Sequence, residues 1–219
     1  AYCNYNNNSP LVRIKKIINK VKPAIIYSNE LNLNKYNNSK NILNKKIIYK
    51  IIKKSKINKN IYLNNFNIDT PSYIMFTSGS TGAPKGITHS TGGYLLYSKL
   101  TCQDQFGMNE NSIVLTASDA GWINGHTYSL FGPLSHGSTT ILIEKPISLI
   151  DIKLFKKILN LKISIVYLPV TLIRLIKSLN KDFKINKKYI KALGSMGEPL
   201  APSIAKWFSD KFLRKDISV

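Results

Sequence analysis

Cysteine, histidine and arginine are all scarce in this 219-residue chain, and each shortage closes off a class of function. The two cysteines, Cys3 and Cys102, stand far apart and form neither a metal-binding nor a redox motif. The three histidines, His89, His126 and His136, form no obvious catalytic dyad. No second ligand stands at metal spacing from His126, so no metal site is expected within the chain. No unbroken apolar run is long enough to span a bilayer, and the opening AYCNYNNNSP has no apolar stretch like a signal peptide. A reducing, cytoplasmic compartment with no membrane span is the expectation. Only three of the 32 basic residues are arginine, Arg13, Arg174 and Arg214, although arginine is the preferred residue for phosphate forks and base edges. The net charge of +21 is therefore read as a solvated lysine surface, and no nucleic-acid partner is expected. Residues 1–68 carry +13, residues 69–151 carry −3 and residues 152–219 carry +11, so the motif-dense middle is the acidic part.

What is present divides at about residue 68. Residues 1–68 read as a partial N-terminal subdomain, basic and asparagine-rich. They hold an amphipathic stretch from Leu11 to Lys22, a short buried strand in AIIYSNE (Ala24–Glu30), and a basic amphipathic helix around Leu43–Ile52. That helix reads as docked with a lysine-rich solvent face; lying on an anionic membrane is the weaker alternative. From Tyr73 the chain alternates strand and helix. Strands are expected near Tyr73–Thr77, Ser112–Ala117, Thr139–Ile143, Ile163–Leu168 and Ile190–Leu193. Helices are expected in STGGYLLYSKLTCQDQFG (stopping near Gly107), in the segment after GWING, in IDIKLFKKILNLK, in TLIRLIKSLN, and in APSIAKWFSDKF with Pro202 in its first turn. Near-continuous apolar strands separated by helices predict an α/β fold, a mostly parallel sheet with helices on both faces over residues 69–219. The chain starts at Ala1 and stops at Val219 inside what reads as a strand, DISV, so an internal piece of a larger protein is expected.

FTSGSTGAPKG, Phe76–Gly86, stands apart from this composition. Gly79, Gly82 and Gly86 let a backbone approach a ligand closely. Thr77, Ser78, Ser80 and Thr81 add hydroxyls, Pro84 stiffens the loop, and Lys85 supplies one mobile positive charge. A plain strand-to-helix turn needs glycines, but it does not need four hydroxyls and a lysine. The spacing is not that of a P-loop, because Lys85 precedes Gly86 rather than Ser or Thr.

TSGSTGAPKG resembles the phosphate loop of the adenylate-forming superfamily of acyl-CoA synthetases, luciferases and adenylation domains. HSTGGYLLYSKLT, SDAGWINGHTYSLFGPLSHGSTTILIE, LPVTLIRLIKSL and LGSMGEPL follow in the order and approximate spacing of AMP-forming acetyl-CoA synthetases, from about Phe76 to Val219. The resemblance implies a ligase that joins a short carboxylic acid, acetate favoured, to the α-phosphate of ATP. Pyrophosphate leaves, and the acyl group then passes from AMP to CoA. Lys85 and the loop would stabilise pyrophosphate, Gly197, Glu198 and Pro199 would contact adenine, and Trp122, Ile123, Asn124 and Met196 would line the acyl pocket and CoA channel. Trp122 is expected as a buried ring closing the pocket, with His126 and Tyr128 supporting its turn.

Two positions depart from the acetyl pattern. Asn124 stands where a threonine is usual, and Met196 where a small branched residue is usual. The resemblance also implies Mg²⁺, with its ligands largely outside this chain. The family's next ATP-holding turn, ribose-binding acid, phosphate arginines and C-terminal domain have no counterpart here. The arginines that in the family meet CoA upstream of the loop have no match here, and Lys35 is the nearest basic candidate. A propionate or related ligase, a non-catalytic remnant, and at a distance a nucleic-acid module separable by its salt slope remain the alternatives.

Overall fold

The computed structural model describes residues 16–22, 26–27, 42–43, 67–77, 84–119, 121–143, 152–179 and 185–214. Two compact units share the chain, one of Cys3–Phe66 with Phe76–Ile87, the other of Asn67–Met75 with Thr88–Val219. In the first unit, residues 16–21 are helical. There Ile26–Tyr27 (β1) also pairs in parallel with Ile42–Leu43 (β2), Ile26 opposite Ile42. Most of the Leu43–Ile52 helix expectation, and the terminal DISV, lie outside the described residues.

Pro71–Thr77 (β3) and Lys85–Ser90 (β4) form a two-stranded ribbon of their own. This corrects the expectation on two points. The strand before the glycine loop is not part of the larger sheet, and the loop leads into a second strand rather than directly into a helix. Local chemistry explains the extra strand: KGITHS offers a helix-poor glycine followed by β-branched Ile87 and Thr88.

Helix α1, Thr91–Phe106, begins once the ribbon ends. Its N-cap Ser90 makes no side-chain capping bond. Instead the Thr91 and Gly92 N–H groups donate to Thr70 O and Ile68 O at 2.8 and 2.9 Å, so the segment before β3 satisfies donors that the helix leaves orphaned. The helix stops at Gly107, whose left-handed backbone (φ 58°) lets its N–H reach Gln103 O at 2.8 Å.

The larger sheet is fully parallel, in the order β6-β5-β7-β8, with β5 Ile113–Thr116, β6 Thr139–Ile141, β7 Ile165–Pro169 and β8 Ala192–Met196. Between β5 and β6 run α2 (Ile123–His126), a π-helical turn (Thr127–Phe131) and α3 (Gly132–Ser135). Helices α4 (Ile152–Leu159), α5 (Val170–Ser178) and α6 (Pro202–Phe212) complete the unit.

Alternation along the strands divides the core by face. Leu115, Val166 and Leu168 point into the larger cluster, with Phe155 and Leu159 of α4, Leu172, Ile173 and Ile176 of α5, and Phe208 and Phe212 of α6. Val114 and Ile165 point the other way, onto Cys102 and Met108. Each such aliphatic side chain withdrawn from water contributes about 1.5–3 kcal/mol, and both faces of the sheet are covered as a parallel sheet requires.

Candidate functional site

Because β5, β7 and β8 run in parallel, the segments that follow them leave the sheet at one end. Thr116 at the end of β5 pairs with Tyr167, and Met196 at the end of β8 pairs with Pro169 two residues further on, so the two strands end on either side of β7 at the same end of the sheet. In open α/β sheets ligands bind at this carboxyl end. Two of the motifs singled out from the sequence sit there: the turn holding Trp122–Asn124 after β5, and Gly197–Pro199 after β8.

The first turn is fixed by its own polar groups. The Asp119 carboxylate accepts the Gly121 N–H at 2.7 Å, and the Asp119 carbonyl accepts the Trp122 N–H at 3.0 Å. Trp122 caps α2 in extended conformation, and the Gly125 N–H closes onto its carbonyl at 3.0 Å. Ile123 and Asn124 are half-buried, but the Trp122 ring is 71 % exposed. That corrects the expectation of a buried indole: the helix start places the ring outward, and no described side chain covers it. The π-helical turn behind is tied to the strand end, since Thr116 Oγ1 donates to Tyr128 O at 2.8 Å and Ser129 Oγ to Thr116 O at 3.2 Å. Tyr128 in turn shares a 3.0 Å hydrogen bond between its hydroxyl and Thr101 Oγ1.

The second turn needs its glycine. Gly197 has φ +97°, a conformation side chains rarely adopt, although a Cβ there would meet nothing. Met196 before it is buried, while Glu198 and Pro199 are exposed. The strand beneath is equally constrained, because a Cβ on Gly194 would lie 2.6 Å from the Tyr167 ring and 2.7 Å from the Phe106 ring. Those two rings and Tyr128 form a cluster with centroids 5.0–5.9 Å apart.

Of the glycine loop expected to hold phosphate, Thr77, Pro84, Lys85 and Gly86 are described; residues 78–83 lie outside. Thr77 Oγ1 donates to Lys85 O at 3.5 Å across the mouth of the loop, and Thr77, Lys85 and Gly86 are exposed. At the other end of the ribbon, sequence reasoning missed an aromatic cluster. Tyr73 stacks on His89 at 4.7 Å, on His126 at 5.3 Å and on Phe131 at 6.0 Å, with Tyr94 edge-on at 5.1 Å. The Tyr94 and Thr127 hydroxyls share a 2.7 Å hydrogen bond. A usable signal was there: Ser72 and Ile74 face solvent while Tyr73 and Met75 are half-buried, the period-two pattern of a strand with one packed face.

Burial raises every perturbed group in this region. Desolvation pushes the Cys102 thiol up to about 12 and the Tyr167 phenol up to about 12, and raises Tyr128 and Tyr73 as well. All four stay protonated and uncharged at neutral pH. Among the described residues no three His, Cys, Asp or Glu side chains are grouped to hold a metal ion. Nor, among them, is any helix long and apolar enough to cross a membrane.

A family model described as "AMP-binding enzyme" matches residues 1–219. The chain is 40 % identical over 148 residues to acetyl-coenzyme A synthetase 2 of Eremothecium gossypii, covering 66 % of this chain and 22 % of that protein. It is 38 % identical over 151 residues to acetyl-coenzyme A synthetase 2 of Saccharomyces cerevisiae, covering 68 % and 22 %. To acetyl-coenzyme A synthetase of Helicobacter pylori it is 37 % identical over 154 residues, covering 69 % and 23 %. These matches thus span about a fifth of each relative's length. Among solved structures, McyG A-PCP complexed with phenylalanyl-adenylate superposes with a TM-score of 0.75 at 17 % identity, over 94 % of this chain and 34 % of that one. That likeness assigns the adenylate-forming fold.

Proposed function

Because this chain belongs to the AMP-binding enzyme family, we propose that it forms the nucleotide- and acyl-binding part of a ligase that activates a short carboxylic acid, acetate favoured, with ATP and passes it to CoA. The observation that carries the reading is the shared carboxyl end of β5 and β8. The Trp122–Asn124 turn, read as the acyl side, and the Gly197–Pro199 turn, read as the adenine side, follow strands on either side of β7.

The chemistry asks little of acid–base groups. A carboxylic acid with pKa near ~4.5 is already ionised at neutral pH, so it attacks the α-phosphate without a protein base. The neutral phenols and thiol around the site neither help nor hinder that step. What the step demands is stabilisation of the charge that builds on departing pyrophosphate. Lys85, with the hydroxyls of Thr77, Ser78, Ser80 and Thr81 and the amides of Gly79, Gly82 and Gly86, supplies donors of that kind. Gly197, Glu198 and Pro199 hold adenine; Ile123, Asn124 and Met196 limit the acyl pocket. An indole as exposed as Trp122 suits the CoA-channel side of that pocket better than its closed end. Asn124 and buried Met196 both add volume, which favours two- or three-carbon acids; Mg²⁺ would arrive with the nucleotide.

The test is acid-dependent exchange of pyrophosphate into ATP by the full-length protein, across C2 to C8 acids. Acetate or propionate should give the highest kcat/KM. A preference for hexanoate or octanoate would remove the short-chain assignment.

A further inference from the structure

Gly197–Pro199 is exposed at every residue, yet one of its side chains has a charged partner on a helix. Glu198 Oε1 lies 3.2 Å from Arg174 Nη1. Arg174 stands on α5, which is anchored in the core by buried Val170, Leu172, Ile173 and Ile176. Its backbone is therefore fixed while its guanidinium reaches out to the turn. In the turn itself Gly197 takes a positive φ of +97°. A guanidinium also holds a carboxylate in a more defined orientation than a lysine ammonium does.

We propose that Arg174 is a positioning residue of the nucleotide site, acting through Glu198 on the Gly197–Pro199 turn; the inference rests on the adenine role proposed above for that turn. A free carboxylate in a turn that receives a polyanionic nucleotide opposes binding. Arg174 offsets that charge and ties the turn to a rigid helix. Exposed ion pairs add little to folding stability, so the pair should be felt in nucleotide affinity and not in unfolding.

The experiment measures ATP binding calorimetrically, and KM for ATP and for acid, in the full-length protein and its variants. Arg174→Ala should raise Kd and KM for ATP roughly three- to tenfold, the size of a coupling between residues in contact. KM for the acid and the unfolding midpoint should stay put. Arg174→Lys should recover part of the loss. Glu198→Gln should add less in the Arg174→Ala background than in the wild type. Wild-type ATP affinity in Arg174→Ala would overturn the proposal alone, as would a fall in unfolding midpoint with equal losses for ATP and acid. A wild-type protein that binds no ATP would overturn the adenine role and this inference together.

Discussion

At the centre of the sheet, Val114, Leu115, Ile165 and Val166 are at most 2 % exposed, whereas Ser72, Ile74, Lys85 and Ile87 on the β3–β4 ribbon face solvent. In the sheet, packing decides which residue stands where, and the two site turns inherit their positions from strands buried on both faces. In the ribbon, packing decides only the base, where Tyr73 meets His89, His126, Phe131 and Tyr94. Toward Thr77 and Lys85 little is buried, so packing does not dictate the residue choices there. The first region is held by burial, and the second is the part proposed to bind.

That division predicts opposite responses to substitution. The largest effect belongs to the sheet: Phe155→Ala removes a fully buried ring and should cost about 3–5 kcal/mol, read as a shift of the urea midpoint. A loss below about 1 kcal/mol, the ordinary mutational cost, would mean the core is not where stability resides. Next comes the ribbon's tip. Lys85→Ala should slow acyl-adenylate formation about a hundredfold or more, some 3 kcal/mol of transition-state stabilisation. It should leave the unfolding midpoint alone and largely spare thioester formation from supplied acetyl-AMP. Equal losses in both half-reactions would remove the pyrophosphate role.

The buried thiol and phenol sharpen the contrast through pH. Cys102 rises from 9.0 to about 12 and Tyr167 from 10.0 to about 12 in the folded chain. Folding therefore favours their protonated forms, and the unfolded chain releases protons first. The contribution of these two groups should be level below pH 9 and fall steadily as pH rises from about 9 through about 12; Cys102→Ala should flatten part of that slope. A stability curve unchanged to pH 11 would contradict the burial of both groups. The smallest effect returns to the ribbon: Ile87→Ser, at a half-exposed site, should change stability by no more than about 0.5 kcal/mol.

The same division explains what was legible in the sequence. The apolar runs of IVLT, IVYLP and the helices after them announced themselves by periodicity, and Gly107 marked the end of α1 by its backbone conformation. The glycine loop was legible for the opposite reason, since a plain turn needs glycines but not four hydroxyls and a lysine. β4 was missed because KGITHS has no apolar face to betray it: its burial comes only at His89 and Ser90. Trp122 misled because a large aromatic is usually packed, whereas here its position at the start of α2 turns it outward. The Arg174–Glu198 pair could not be foreseen, because it joins two elements that only the fold brings together.

The central claim, that these turns serve adenylate formation, is tested most directly by following ATP and acetate with CoA withheld. The full-length protein should accumulate acetyl-AMP and pyrophosphate in equal amounts, and release AMP only when CoA is added. Production of ADP and phosphate, or acetate-independent loss of ATP with no acyl-adenylate, would contradict the account.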